Sequence, residues 1–309
     1  MIFRVVKLLM QLPVPKHPDA NAAAAVQELM GGKSGELSTL MNYFIQSNNF
    51  RGRKLYAPFY DLVANIAAEE WGHVELVQYA INLLLTGSSE RGDDPAAEPL
   101  AVAVPSRNTH HFFASSQTAL PMDSMGHWWN GSYVNTTGNL RLDLLNNFQL
   151  ELNARATKIR VYETTSDPTV RALTGFLIVR GGTHIIAFAK ALEKLTGVEV
   201  GRLLPIPDVT TDKFPECRTF IEQGLYNTMY RFSPKDYRQL DEIWNGVHPE
   251  TGEELVVTDD PMPTLADPPY LEAEPQLASP AGADELEELS ERLFGMSTAK
   301  LKKKKSAKV

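Results

Sequence analysis

The feature that most constrains this chain is a set of acidic and histidine side chains embedded in apolar, helix-forming stretches. The stretch NIAAEEWGHVEL, residues 65–76, carries the adjacent Glu69 and Glu70, followed by His73. Carboxylates are rarely fully buried unless a positive group pairs with them. This face of the helix therefore either meets water or lies over a cation.

Periodicity and end signals predict four long helices, over about residues 19–50, 58–85, 139–166 and 168–196. The fourth has the clearest ends, with Asp167 as the capping residue, Pro168 in the first turn and Gly197 after the last turn. Three glycines between residues 31 and 35 lower the stability of the first helix. We therefore expect a close helix neighbour at that point.

A stretch of roughly 50 residues, rich in Pro, Gly, Ser and Asn, separates the second and third predicted helices. Four-helix bundles of the ferritin type carry one long crossover at this position. We therefore predict an all-α, ferritin-like four-helix bundle with a crossover over about residues 86–138. The short connections within the first and second helix pairs favour antiparallel hairpins.

The chain changes character after Gly197. Residues 1–197 are predicted to form the bundle, and residues 198–309 an extended, mostly irregular segment that wraps the bundle or neighbouring subunits. Within it, ADELEELSERLF, residues 283–294, predicts a short amphipathic helix. The final lysine run is typical of a solvated tail.

Composition argues against several classes of protein. The formal net charge of −8 and the pI of about 5.5 argue against general nucleic-acid binding, which needs a basic face. The single cysteine, Cys217, excludes an intramolecular disulfide and suits a reducing compartment. Apolar runs fall short of a membrane span, and the N-terminus lacks a good signal-peptide cleavage site, so we expect a cytoplasmic protein.

Polar residues on all four helices fall near a common level of the bundle. Antiparallel packing would aim three carboxylates and two imidazoles at one layer, namely Glu36, Glu70, His73, Glu151 and His184. Unpaired, such a layer would cost many kcal/mol. Two divalent cations would turn it into a shell of metal ligands, and Glu-x-x-His places two ligands on one helix face.

Each of these residues also has an ordinary interpretation. Spacing does not choose between Glu69 and Glu70, since both share a face with His73. Glu36 fits an exposed position beside flexible glycines, and Glu151 fits a surface ion pair with Arg155. The apolar neighbours of His184 place it in the core, where a histidine hydrogen-bonded to other side chains is the commoner case. The argument rests on the convergence of all five.

Further polar residues follow the same faces. Tyr43 lies two turns after Glu36, and Lys158 lies two turns after Glu151, so either side chain fits a hydrogen-bonding role next to ligands or an ordinary place at the core edge. The histidines of the crossover fit an entrance or, more simply, packing and surface positions; they are His110, His111 and His127.

The sequence resembles the manganese (non-haem) catalases over residues 1 to about 240, and the resemblance weakens in the C-terminal tail. It is specific because it includes both the bundle and the ligand motifs. The stretches that carry it are PDANAAAAVQELMGGKSGELSTLMNYFIQSNNFRG, PFYDLVANIAAEEWGHVEL, GNLRLDLLNNFQLELNARATKIRVYE and RGGTHIIAFAKALEKLTGVE.

The resemblance implies two manganese ions per subunit. Glu36 and His73 would bind one ion, Glu151 and His184 would bind the other, and Glu70 would bridge them. It further implies disproportionation of hydrogen peroxide to water and oxygen, with the metal pair cycling between Mn(II)/Mn(II) and Mn(III)/Mn(III). The family is typically homohexameric, with C-terminal segments that embrace neighbouring subunits.

Tyr43 and Lys158 match positions beside the ligands in members of the family. The chain departs from some members at two positions, where Gly181 replaces a glutamate and Leu150 replaces an arginine. Lys158 is therefore our candidate for the proton-shuttling group. An additional structural calcium near Asp61 is a further expectation.

Three other functions compete with the catalase. A di-iron ferroxidase or oxygenase has similar ligands, and iron binds such sites more tightly than manganese. The common di-iron pattern, however, uses two Glu-x-x-His pairs, and in the second pair this chain has Gly181 where the pattern has glutamate. A non-catalytic coat or storage protein would keep the bundle alone. A peptide-binding helical module would leave the acidic layer unexplained.

Overall fold

The computed structural model describes residues 5–87, 103, 105–115, 117–271, 288–289 and 291–293. This part of the chain contains seven α-helices: α1 Ala20–Gly31, α2 Glu36–Asn49, α3 Ala57–Thr86, α4 His110–Phe113, α5 Leu140–Thr164, α6 Pro168–Thr196 and α7 Arg218–Glu222. It also contains two short strands, β1 Thr228–Tyr230 and β2 Val256–Thr258, which pair in parallel.

The long helices form a closed four-cornered bundle. Helices α1 and α2 both pack against α3, α3 packs against α6, and α6 packs against α5, which returns to contact α1 and α2. The predicted ferritin-like bundle is confirmed. The tight loop between α5 and α6 follows from local signals, since Asp167 accepts hydrogen bonds from Thr169 N–H and Val170 N–H and Pro168 starts the helix.

The prediction of one continuous first helix is wrong. The chain leaves the helical conformation between α1 and α2, where Gly32 and Gly35 have extended backbones with ψ of 161° and 173°. The turn runs so close to α1 that a Cβ on Gly32 would lie 2.4 Å from the carbonyl oxygen of Glu28. The glycines therefore break the helix, and Glu36 is the first residue of α2.

The described part of the crossover lies along α1 and α2, anchored by buried amides. Gln27 donates to the carbonyls of Leu120 and Met122, and Gln46 donates to the carbonyl of Asn135 at 2.8 Å. Asn42 Oδ1 accepts a hydrogen bond from Asn135 N–H at 2.7 Å. These contacts explain how a long connection with little regular structure is held.

Residues 198–271 lie against the bundle and contain α7 and the two strands. Asn65 on α3 anchors the end of β1. Its side-chain amide donates to Tyr230 O at 2.9 Å and accepts from Phe232 N–H at 2.8 Å. Trp244 is fully buried among residues of α3 and α6. Of the helix predicted over residues 283–294, only helical residues 288–289 and 291–293 are described, and the lysine run lies outside the described residues.

A polar layer divides the apolar core into two clusters. Along α3, one cluster ends at Ala67 and the other begins at Val74. Along α6, the corresponding limits are Val179 and Ile185. The expectation that apolar runs fall short of a membrane span is wrong for α6, which is long and apolar enough to cross a membrane. However, 89% of its most apolar window is buried inside the protein, as in the core helix of a bundle.

The end of α1 gives a test of this packing. A Cβ on Gly31 would lie 2.5 Å from the backbone N and O of Met122, so Gly31→Ala must displace the crossover. We expect a loss of about 1–3 kcal/mol in the free energy of unfolding, measured by urea denaturation. Gly131→Ala is the control, because a Cβ there meets no atom within 4 Å. Equal stabilities for the two variants would contradict the packing.

Candidate metal centre

The structure brings the five predicted ligand residues together in the layer between the two apolar clusters. They come from all four corners of the bundle, and none is more than 1% exposed: Glu36 from α2, Glu70 and His73 from α3, Glu151 from α5 and His184 from α6. Single donor atoms of Glu70, His73 and His184 lie within 4.8 Å of one another. These three side chains therefore have the spacing of metal ligands.

Glu70 lies between the two histidines. Its Oε2 is 3.2 Å from Nδ1 of His73, and its Oε1 is 2.8 Å from Nδ1 of His184. Each carboxylate oxygen therefore faces a different imidazole. Thr39 donates a hydrogen bond to Glu70 Oε2 at 2.7 Å and restricts the rotation of this carboxylate.

The two remaining carboxylates stand on opposite sides of Glu70. Glu36 Oε2 lies 3.5 Å from Nδ1 of His73, and Glu151 Oε1 lies 3.5 Å from Nδ1 of His184. Each histidine therefore has its own glutamate in addition to the shared Glu70. This arrangement has the form of two adjacent cation sites with one carboxylate in common.

Tyr43 and Lys158 lie directly beside these carboxylates. The Tyr43 hydroxyl donates to Glu151 Oε1 at 2.8 Å. Lys158 Nζ lies 3.0 Å from Glu36 Oε1, but without hydrogen-bonding geometry, so the contact is an ion pair alone. Both side chains are fully buried, and their polar atoms face the layer.

Glu69 occupies a different position from Glu70, which distinguishes the two adjacent glutamates. Arg180 holds Glu69 with two bonds, Nε to Oε1 at 2.6 Å and Nη2 to Oε2 at 2.9 Å. The Glu69 oxygens also lie 3.6 Å from Nε2 of His73 and 3.2 Å from Nε2 of His184. Glu69 therefore faces the outer nitrogens of both imidazoles, whereas Glu70 faces the inner ones.

Many polar atoms of the layer have no hydrogen-bond partner among the described residues. They include both ring nitrogens of each histidine and one or more oxygens of each of the three predicted carboxylate ligands. Buried polar atoms are normally satisfied. Three carboxylates and two imidazoles suit a hard or borderline divalent cation such as Mn(II) or Fe(II). The residues therefore fit a pair of such ions.

Without metal, the layer balances its charge by protonation. Four glutamates face Lys158 and Arg180, which leaves a formal charge of −2. Burial by itself lowers the pKa of His73, but Glu70, Glu36 and Glu69 outweigh it and raise the pKa from 6.5 to about 10. The pKa of His184 is raised well above its ordinary value, against the effect of burial, mainly by Glu69. Metal binding must therefore displace protons.

The two departures noted in the sequence differ in their positions. A Cβ on Gly181 would lie 3.1 Å from Lys158 Nζ and 3.8 Å from Glu151 Oε2, so this position adjoins the layer. Leu150 is half-buried and packs on the apolar cluster around Tyr43. Gly181 therefore leaves space next to the Lys158 ammonium, which lies 3.0 Å from Glu36 Oε1.

Several alternative interpretations can be compared with the structure. Glu36 is buried and not exposed, and Arg155 donates to Val209 O at 2.8 Å instead of pairing with Glu151. In the crossover, His111 is buried with Nε2 2.8 Å from Gln27 Oε1, whereas His127 is exposed and pairs with Asp123. These two histidines therefore occupy packing and surface positions.

Sequence reasoning missed three residues that contact the layer: Thr39, Glu69 as a partner of both histidines, and Arg180. Arg180 had a usable signal, since an arginine that is buried within the apolar stretch FLIVRGGTHIIAFAKAL needs a partner. It lies four residues before His184, on the same helix face. Thr39 carried no comparable signal.

Comparisons with known proteins agree with this geometry. The family model described as manganese containing catalase matches residues 2–294. A manganese catalase of Bacillus subtilis is 33% identical over 206 residues, which cover 66% of this chain and 74% of that protein. The uncharacterized protein YjqC of Bacillus subtilis (strain 168) is 34% identical over 238 residues, 76% of this chain and 82% of that protein.

Among solved structures, KatB, a manganese catalase from Anabaena, superposes with a TM-score of 0.53. The sequences are 24% identical, and the match covers 63% of this chain and 81% of that chain. At this level of identity the likeness concerns the fold.

The raised pKa of His73 predicts how the stability of the metal-free protein depends on pH. The contribution of this proton is fully present below about pH 6.5 and is lost as the pH rises toward about 10. Between about pH 6.5 and 9 we expect His73 alone to lower the free energy of unfolding by up to ~1.4 kcal/mol per pH unit, and His184 adds a loss of the same sign. Urea unfolding at stepped pH measures it, and His73→Gln should flatten the dependence. An unchanged slope in that variant would contradict the assignment.

Proposed function

The chain belongs to the family of manganese-containing catalases, and we propose that it disproportionates hydrogen peroxide at a dimanganese site in the polar layer. The protein is a manganese catalase by its family and relatives. The number of ions and the residues that hold them are our proposal. The observation that carries it is the convergence of five buried ligand residues, each of which has at least one ring nitrogen or carboxylate oxygen without a hydrogen-bond partner among the described residues.

The proposed ligand set follows the pairing of side chains in the layer. Glu36 and His73 would hold one ion, and Glu151 and His184 would hold the other. Glu70 would bridge the ions, since its two oxygens face Nδ1 of different histidines at 3.2 and 2.8 Å. When bound, the manganese pair would supply two-electron redox chemistry between the Mn(II)/Mn(II) and Mn(III)/Mn(III) states.

The reaction requires a group that holds and returns protons. Reduction of one hydrogen peroxide to two waters takes up two protons and two electrons, and oxidation of a second to oxygen releases both. Lys158 is our candidate, because its Nζ lies 3.0 Å from Glu36 Oε1 and the charges of Glu151 and Glu70 also act on it. Burial lowers the pKa of Lys158, but Glu36, Glu151 and Glu70 outweigh it and raise the pKa, so the ammonium stays charged in the metal-free layer.

Tyr43 has a positioning role in this proposal. Burial, together with the nearby Glu151 and Glu70, raises the pKa of Tyr43 well above its usual range. The phenol therefore stays protonated and donates to Glu151 Oε1 at 2.8 Å. This bond occupies one lone pair of Glu151 and limits the directions in which the carboxylate can bind an ion.

The oligomeric state, the cellular location and an additional metal ion stay predictions. We propose a homohexamer in which C-terminal segments contact neighbouring subunits, in the cytoplasm. The expected structural calcium near Asp61 also stays a prediction. Asp61 accepts a hydrogen bond from Gln239 N–H at 2.9 Å, and the charges that act on it include Arg53 and Arg231, which oppose a cation.

The test of the proposed function combines elemental analysis with an activity assay. We expect about two manganese ions per chain after expression with ample manganese, and oxygen release on addition of hydrogen peroxide. That release should tolerate azide, since the proposed site contains no haem. Iron in place of manganese, with slow peroxide consumption and no oxygen, would instead support a ferroxidase or oxygenase. A metal-free, inactive protein would support a structural role.

Glu70→Ala tests the bridging assignment within the same assay. Loss of the shared carboxylate should remove both ions and reduce oxygen release to background, while circular dichroism shows that helical content largely survives. Glu163→Ala is the control, because Glu163 is an exposed glutamate near the end of α5. Two ions and normal activity in Glu70→Ala would show that another residue bridges the site.

A further inference from the structure

A continuous series of contacts connects the C-terminal segment to both histidines of the layer. It begins with two main-chain carbonyls, of Leu225 and Thr228, which accept hydrogen bonds from Arg180 Nη1. Through its other nitrogens, Arg180 holds both oxygens of Glu69. Glu69 then faces Nε2 of His73 and His184. Neither Arg180, nor Glu69, nor the two main-chain carbonyls is a ligand in the proposed dimanganese site.

The geometry of Arg180 leaves Glu69 little freedom. A guanidinium bonded to both oxygens of a carboxylate determines the plane of that carboxylate as well as its distance. Arg180 is itself fully buried, and its third nitrogen is occupied by the carbonyls of residues 225 and 228. The orientation of Glu69 therefore depends on where these main-chain atoms lie.

Glu69 is well placed to act on both imidazoles together. Its Oε1 lies 3.6 Å from Nε2 of His73, and its Oε2 lies 3.2 Å from Nε2 of His184. Among the described residues, no other carboxylate lies within 4.0 Å of either Nε2. A carboxylate behind an imidazole selects the tautomer that leaves the opposite nitrogen free for a metal. Here that nitrogen is Nδ1, which faces Glu70 in both cases.

We propose that Glu69, held by Arg180, is a positioning residue that orients both metal-binding histidines, and that docking of residues 225–228 controls how firmly the manganese is retained. This inference rests on the proposed dimanganese site. It assigns the C-terminal segment a role inside its own subunit, separate from any contact with a neighbour. The competing interpretation is that Glu69 and Arg180 form a buried ion pair with a purely structural role.

Thr183 offers a mild way to weaken the docking. Its hydroxyl lies 3.2 Å from Leu225 O and 3.1 Å from Tyr226 O, within hydrogen-bonding distance of both carbonyls. Thr183→Val keeps the volume and removes the hydroxyl, without touching Glu69 or Arg180. This variant keeps the test informative if a variant of the ion pair does not fold.

The experiment measures manganese release from the loaded full-length protein after addition of excess EDTA, together with urea unfolding of each variant. We expect Glu69→Gln and Arg180→Lys to release manganese at least about 10-fold faster than the wild type. Thr183→Val should change the rate in the same direction by a smaller factor. The double variant Glu69→Gln/Arg180→Lys should be no faster than the faster single variant, because both act through one interaction.

Arg155→Lys is the matched control. Arg155 is also a buried arginine bonded to the C-terminal segment, through Val209 O and Thr211 Oγ1, but it lies within 4.0 Å of no described carboxylate. It should shift the unfolding midpoint and leave manganese release unchanged. A structural role for Arg180 predicts instead that release follows unfolding equally in the Arg180 and Arg155 variants.

The outcomes separate this inference from the proposed function. Wild-type protein that holds two manganese ions, with Glu69→Gln and Thr183→Val releasing them at the wild-type rate, would overturn the inference and leave the catalase site intact. Wild-type protein that binds no manganese would overturn both. Faster release in the Glu69 and Thr183 variants, but not in the Arg155 variant, is the result we expect.

Discussion

The rest of the structure depends on the burial of four glutamates in one layer of a helical bundle. An isolated ionised carboxylate is expensive to remove from water, so each of the four needs a positive partner. Two are provided within the chain, Lys158 beside Glu36 and Arg180 beside Glu69. The remaining charge has to be balanced by protons on the histidines or by metal ions. Apolar clusters lie on either side of the layer, so water does not solvate these carboxylates from above or below.

Much of the bundle follows from local signals in the sequence. Asp167, Pro168 and Gly197 define the ends of α6 by capping chemistry that does not depend on the rest of the fold. The break between α1 and α2 was not predictable in the same way. Glycine is compatible with both a weak helix and a tight turn, and only the close approach of the chain to Glu28 decides between them.

The candidate site shows the same division between local and tertiary information. Helical spacing placed five polar residues at one level, and the structure brings all five together. Spacing alone did not assign separate roles to Glu69 and Glu70, because adjacent residues both share a face with His73. Their difference arises from α6, where Arg180 reaches Glu69 and His184 separates the two carboxylates. Such a distinction is tertiary by nature.

The account is tested most directly by anomalous diffraction at the manganese absorption edge on crystals of the loaded protein. It predicts two anomalous peaks in the layer, one on each side of the Glu70 carboxylate. His73 and His184 should each bind one ion through Nδ1, with Nε2 directed at Glu69. A single peak, or peaks away from Glu70, would contradict the claim that this layer is a dimanganese site, and coordination through Nε2 would contradict the role of Glu69.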